Sequence, residues 1–211
     1  MDISFRSLNS RKEIRVYSPR FLLPLVMSLA TLGIFLTVPV SAQQSEQANV
    51  ARETTALSSQ QGKWIVVETF WVRPDAPPVV TKGLVAERRM VGRLLEERLY
   101  AVNSREPVRI DYLGYDAIAG QWCYVSIDTR VPVPPMSASS FERDTPDRIT
   151  LRFEPFAAPP IVPEWSGRLL RMEQVIARKG LDHETKDQYF ILADGSGTRW
   201  LAHRYDYQRE R

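Results

Sequence analysis

Trp122, Ser126 and Asp128 recur at even spacing in the run GQWCYVSID, and Arg171 and Glu173 stand two apart in a later run. Residues two apart on a strand share a face, so each set projects to one side of a sheet. Together they offer an indole wall, a hydroxyl, a guanidinium and carboxylates. That combination suits the apolar body and polar end of one small amphipathic molecule. Asp128 and Glu173 would alternatively serve as the acid and base of a hydrolase or isomerase. Binding without transformation is the leading expectation, and no residue is assigned a catalytic role.

Trp122, Tyr124, Ser126 and Asp128 alternate with Cys123, Val125 and Ile127. Alternation alone does not say which set faces inward. Glu68, Glu96 and Arg98 also fall in strand patterns, where charged residues mostly face water. The sharper reading has a few of them pointing inward and pairing around a ligand.

His183 and His203 are the only histidines. No short-spaced set of nitrogen, sulfur and carboxylate ligands suits zinc. Haem iron needs a single histidine, a role open to His203 on its strand; the plainer reading is a histidine satisfied by protein or solvent. No metal or cofactor is expected. Cys123, the one cysteine, excludes an intramolecular disulfide and reads as a small packed hydrophobe. No Ser-His-Asp order, phosphate loop or dinucleotide fingerprint occurs. Gly195-Ser196-Gly197 lacks the strand-to-helix setting of a nucleophile elbow.

The elements that must position these residues are strands. Residues 64–72 (WIVVETFWV) are β-branched and aromatic, with apolar residues on both faces. The proline loop 74–78 follows, then a strand over 79–90 with Gly83 as a bulge. Residues 94–102 fit a helix by propensity or a strand by alternation; short flanks and strand neighbours favour the strand. Strands over 108–115 and 121–129 are joined by a loop in which Asp116 meets backbone donors and Gly120 closes the turn. Gly114 is read there as a residue needing unusual backbone angles. A hairpin over 136–142 and 148–153, then strands over 165–178, 188–193 and 198–207, complete the row. Asp194-Gly195-Ser196-Gly197 forms its clearest turn. About nine or ten strands with local connections predict an all-β, antiparallel up-and-down barrel, which removes exposed edges. A two-sheet sandwich is the alternative. A barrel filled by side chains, with a partner held by the proline loops, is a further one.

The N-terminus reads as a leader. An uncharged apolar run over 21–40 follows Arg6, Arg11, Lys12, Arg15 and Arg20, and Val40-Ser41-Ala42 offers a peptidase site. The expected organisation is a signal peptide over 1–42, a flexible linker or frayed helix over 43–61 and a barrel domain over 62–211, in the periplasm or secreted. An uncleaved anchor, the only expected contact with a membrane, is the alternative. The leader's basic excess accounts for the formal net charge of +3, so nothing points to nucleic acid as a partner.

Gly62-Lys63-Trp64, Pro74 with Ala76-Pro77-Pro78, Gly83, Gly114-Tyr115-Asp116, Gly120, Asp128, and Tyr207 with Arg209 occur in this order. Through them the chain resembles a bacterial family known as domain of unknown function 1579, whose fold is a calycin-like, lipocalin-type barrel. The resemblance spans 62–211 and implies that barrel without implying an activity. It departs at Ser126, where the family tends to place a tryptophan; Trp122 is the nearby indole. Gly62-x-Trp64 also resembles the opening motif of lipocalins. That likeness implies Trp64 plugging the closed end beneath Arg204 or Arg209.

Overall fold

The computed structural model describes residues 40–141, 144–160, 163 and 165–211, with side chains from residue 48. The expected leader lies outside the described residues as far as position 39.

The described chain runs α1 (Val40–Ser58), β1 (Gly62–Phe70), β2 (Val79–Val91), β3 (Leu94–Tyr100), β4 (Pro107–Asp116) and β5 (Gln121–Asp128). It continues through β6 (Met136–Ser139), β7 (Arg148–Phe153), β8 (Phe156–Ala157), β9 (Leu169–Arg178), β10 (His183–Leu192) and β11 (Arg199–Arg209). Each strand pairs antiparallel with its neighbours, β11 returns to β1, and β9 pairs with β10, so the sheet closes. Ten strands form the ring; β8 extends the β7 side of β9 by Phe156 and Ala157. The expected up-and-down barrel is the fold.

Local chemistry explains most boundaries. Opposite Val66 and Glu68 of β1, the β2 register jumps from Leu84 to Thr81, and Gly83 takes φ 78° in that bulge. Asp116 accepts hydrogen bonds from the amides of Ile118 (2.9 Å) and Ala119 (3.0 Å), and Gly120 turns the chain with φ 68°. Gly114 lies outside the left-handed region; a side chain there would meet Leu94. Its role is close packing, which corrects the expectation of unusual angles. β10 starts five residues before the expected position 188, because its polar stretch turns charges inward onto partners described below.

Residues 43–61, expected as a linker or frayed helix, include most of α1. Its last turns bury Leu57, 1% exposed, against Leu95, Leu113 and Trp122. α1 therefore seals one end of the barrel. Among the described residues no helix is long and apolar enough to cross a membrane.

That end is closed as the lipocalin likeness implied. Trp64 is fully buried between the guanidinium groups of Arg88 (4.7 Å from a ring centroid) and Arg209 (4.3 Å). Its indole N–H donates to the Gln60 carbonyl, 3.1 Å away. Arg209 also donates to the carbonyls of Ser59 (2.7 Å) and Leu181 (3.2 Å), tying the helix end to the last strand. Arg204 instead pairs with Asp187 on the outer face.

Candidate functional site

The interior has two levels. Near the sealed end, Leu95, Leu113, Trp122, Tyr124, Ile149, Leu151 and Ile176 fill the lumen. Toward the other end it opens into a cavity of about 320 Å³. Phe70, Met136, Phe156, Leu170, Phe190 and Trp200 supply much of its wall, and the loop residues Val131, Val133 and Trp165 reach its rim. Trp165 stacks on Trp200 with ring centroids 5.5 Å apart.

Polar groups gather at one side of this cavity. Glu68 of β1 and His203 of β11 are diagonal neighbours across the β1–β11 pair, and Nδ1 of His203 lies 3.2 Å from Oε1 of Glu68. Arg130 bridges the Glu68 carboxylate (2.7 Å) and the Asp128 carboxylate (2.7 Å), and donates to the Tyr205 hydroxyl at 3.3 Å. Burial pushes the Glu68 pKa up, but the hydrogen bond from His203 and the Arg130 charge outweigh it and bring it down to about 2. Glu68 is thus a firm anion that orients the imidazole.

Beneath the cavity lies a buried network of Arg88, Arg109, Arg178 and Lys186 with Glu97, Asp111 and Glu184. Glu97 pairs with Arg88 (2.6 Å), Lys186 (2.8 Å) and Arg109 (3.3 Å), and accepts from the Tyr207 hydroxyl at 2.9 Å. Asp111 pairs with Arg109 (3.1 Å) and accepts from Ser126 at 2.7 Å; Glu184 pairs with Arg88 at 2.7 Å. Burial pushes Glu97 up, but Lys186, Arg88 and Arg109 hold it well below the usual carboxylate range. Desolvation is the largest influence on Tyr124 and Tyr207, and it pushes both phenols well above 10.0.

The five sequence candidates separate. On β5 the even set faces inward, as Val125 and Ile127 are each 38% exposed outside. Ser126 and Asp128 line the cavity. Trp122 also points inward but belongs to the filled level, edge-on to Tyr115 at 5.3 Å. Arg171 and Glu173 do not join them. On β9, Leu170, Met172, Gln174 and Ile176 are buried, while Arg171 is exposed and Glu173 pairs outside with Arg199 (3.1 Å) and Arg152 (3.8 Å). The apolar face of a strand turns inward, which corrects the lumen position expected for both. The alternative Asp128–Glu173 acid–base pair is thereby split across the barrel wall.

Other candidates fall as follows. Glu96 and Arg98 pair with each other on the outer face at 2.9 Å, covered by Arg89 and Tyr112. His183 pairs with Asp206 at 3.1 Å. Partial burial and the Asp116 charge raise the Cys123 pKa, opposing thiolate chemistry. Among the described residues no group of three or more His, Cys, Asp and Glu side chains is arranged to hold a metal ion. Sequence reasoning missed the Glu68–His203 pair as a unit. Its only early signal was the placement of both on strands at opposite ends of the chain, which barrel closure brings together.

Fold and site define a closed ten-stranded antiparallel barrel, sealed at one end and hollow toward the other. No protein-family model matches the chain, and no curated protein matches it. Among solved structures it is similar to Rv2717c from M. tuberculosis, with 16% identity, coverage of 75% of this chain and 98% of that one, and a TM-score of 0.45. It is also similar to EF1p2_mFAP2b, solved bound to DFHBI, with 11% identity, coverage of 75% and 99%, and a TM-score of 0.29. The barrel itself is established by the strand pairings of this chain.

Proposed function

We propose that the protein binds one small, largely apolar or amphipathic molecule in the barrel cavity without transforming it. The observation that carries this reading is the hollow level: about 320 Å³ walled by aromatic and aliphatic side chains, with charged groups confined to one side. Pockets for small organic ligands share that size and that mix. A wholly filled barrel would suit an interaction module instead, and only the sealed level is filled. An exported location and kinship with the domain of unknown function 1579 family belong to the same proposal, supported by the N-terminal run and by the motifs from Gly62 to Arg209.

The test is ligand-dependent melting across a panel of hydrophobic metabolites. A fitting compound should bind in roughly the micromolar range, about −8 kcal/mol, and raise the midpoint. Met172→Trp, which puts an indole into the cavity, should abolish the shift. If no compound raises the midpoint, or if Met172→Trp leaves the shift intact, the cavity is not a binding site.

A further inference from the structure

Resting on that reading, we propose that the bound molecule is an aromatic ring carrying a hydroxyl group, and that this hydroxyl meets Nε2 of His203.

The imidazole is fixed on three sides. Phe70 stacks on it with centroids 4.6 Å apart, Tyr205 lies parallel at 5.9 Å, and Nδ1 is held by Glu68 at 3.2 Å. Among the described residues Nε2 has no hydrogen-bond partner; it is not a fully buried atom, and its side chain is 21% exposed and lines the cavity. The free edge of the ring is therefore the edge the ligand meets. In the tautomer whose Nδ1–H donates to the Glu68 carboxylate, the ring presents a lone pair at Nε2. An apolar occupant would leave that acceptor desolvated and unmatched, at a cost. A donor on the occupant satisfies it.

The neighbouring groups narrow the donor to a hydroxyl on an aromatic ring. Phe156, Phe190 and Trp200 present faces and edges on which an aromatic ring packs well. A cavity of about 150 Å³ already accepts benzene, so this one has room for a substituted ring. A ligand carboxylate would add a full anion beside Glu68 and Asp128, which already share Arg130. A phenol avoids that repulsion, because its proton stays on oxygen and is donated to the neutral imidazole at Nε2.

Para-nitrophenol and its methyl ether, para-nitroanisole, share a ring and differ in the donor. The full-length chain should bind the phenol at least tenfold more tightly, about 1.4 kcal/mol. In His203→Phe, which keeps the stacked ring but loses both nitrogens, the two should bind within about twofold, with the ether's affinity retained. Nitrogen NMR on the unmutated protein gives a second readout that does not depend on the variant folding. The Nε2 resonance of His203 should move with the phenol and not with the ether, with His183 on the outer surface as reference. Equal affinities in the wild type, or an Nε2 resonance unmoved by bound phenol, would overturn the phenol assignment and leave the cavity reading standing. Binding of neither compound would overturn this proposal and tell against the cavity reading as well.

Discussion

Arg109 and Asp111 reverse the usual rule for a strand face. On β4 they point into the barrel beside Leu113, while Val108, Ile110 and Tyr112 face outward or sit half-buried. The reversal is stable because Glu97, Lys186, Ser126 and Tyr207 arrive from four other strands to pair with them. Removing one member of such a network leaves its partners charged and desolvated, which typically costs about 3–5 kcal/mol. Glu97→Gln should therefore lose roughly that much unfolding free energy in denaturant titrations. Arg171→Ala, on the outer face, should stay within about 0.5 kcal/mol. Equal effects would mean that the interior pairs are not formed. This contrast also marks what a single chain can reveal. The alternation Leu170, Met172, Ile176 held the signal that puts Arg171 and Glu173 outside, against the lumen position expected for them, because β9 obeys the apolar-inward rule. No local signal placed Arg109 and Asp111 inside, since their counter-charges lie on distant strands. Trp64 was legible because its role is local to a motif: Trp64→Ala should cost about 3–5 kcal/mol, the range for deleting a buried large aromatic.

At the scale of elements, α1 changes the most between sequence and structure. Its Gln, Ser, Ala and Thr content resembles a tether, and one apolar residue near its end decides otherwise. Leu57 enters the filled level beside Trp122, so the helix is held by packing at its last turn. Leu57→Ala should cost about 2–5 kcal/mol and raise amide exchange at the sealed end of the barrel. A change below about 0.5 kcal/mol would mean that α1 is not docked. The strands were legible as strands because β-branched and aromatic runs were punctuated by proline and glycine. The start of β10 was not, because HETKD reads as polar loop unless Glu184 and Lys186 are known to find Arg88, Glu97 and Asp111. Among the described residues the seam between β6 and β7 has the fewest paired residues in the ring, Ala138–Phe153 and Ser139–Arg152. Ser140, just past β6, extends the join to β5 instead, its Oγ accepting from the Trp122 amide and its amide donating to the Trp122 carbonyl, both at 2.9 Å.

For the whole molecule, the interior charges behave as one body. Arg88, Arg109, Arg130, Arg178 and Lys186 face Glu68, Glu97, Asp111, Asp128 and Glu184, so the lumen is balanced while every carboxylate is ionised. Protonating a carboxylate strands a cation in low dielectric. Glu68 titrates near 2 in the folded protein against an ordinary 4.5, and Glu97 is also held well below 4.5. A carboxylate depressed on folding contributes stability that is complete above its unfolded pKa and lost as pH falls toward its folded one. For Glu68 alone that contribution is on the order of 3 kcal/mol. Unfolding free energy should therefore be level from about pH 7 to about pH 5 and fall steeply between about 4.5 and 2. Buried pairs are poorly screened, so added salt should change the slope little. In Glu68→Gln the absolute stability should be lower at neutral pH and the acid slope shallower. Denaturant titrations at half-unit pH steps measure both. A wild-type stability unchanged between pH 5 and 3, or an acid slope abolished by moderate salt, would show that the carboxylates are exposed and that the lumen is not the charge-balanced core described.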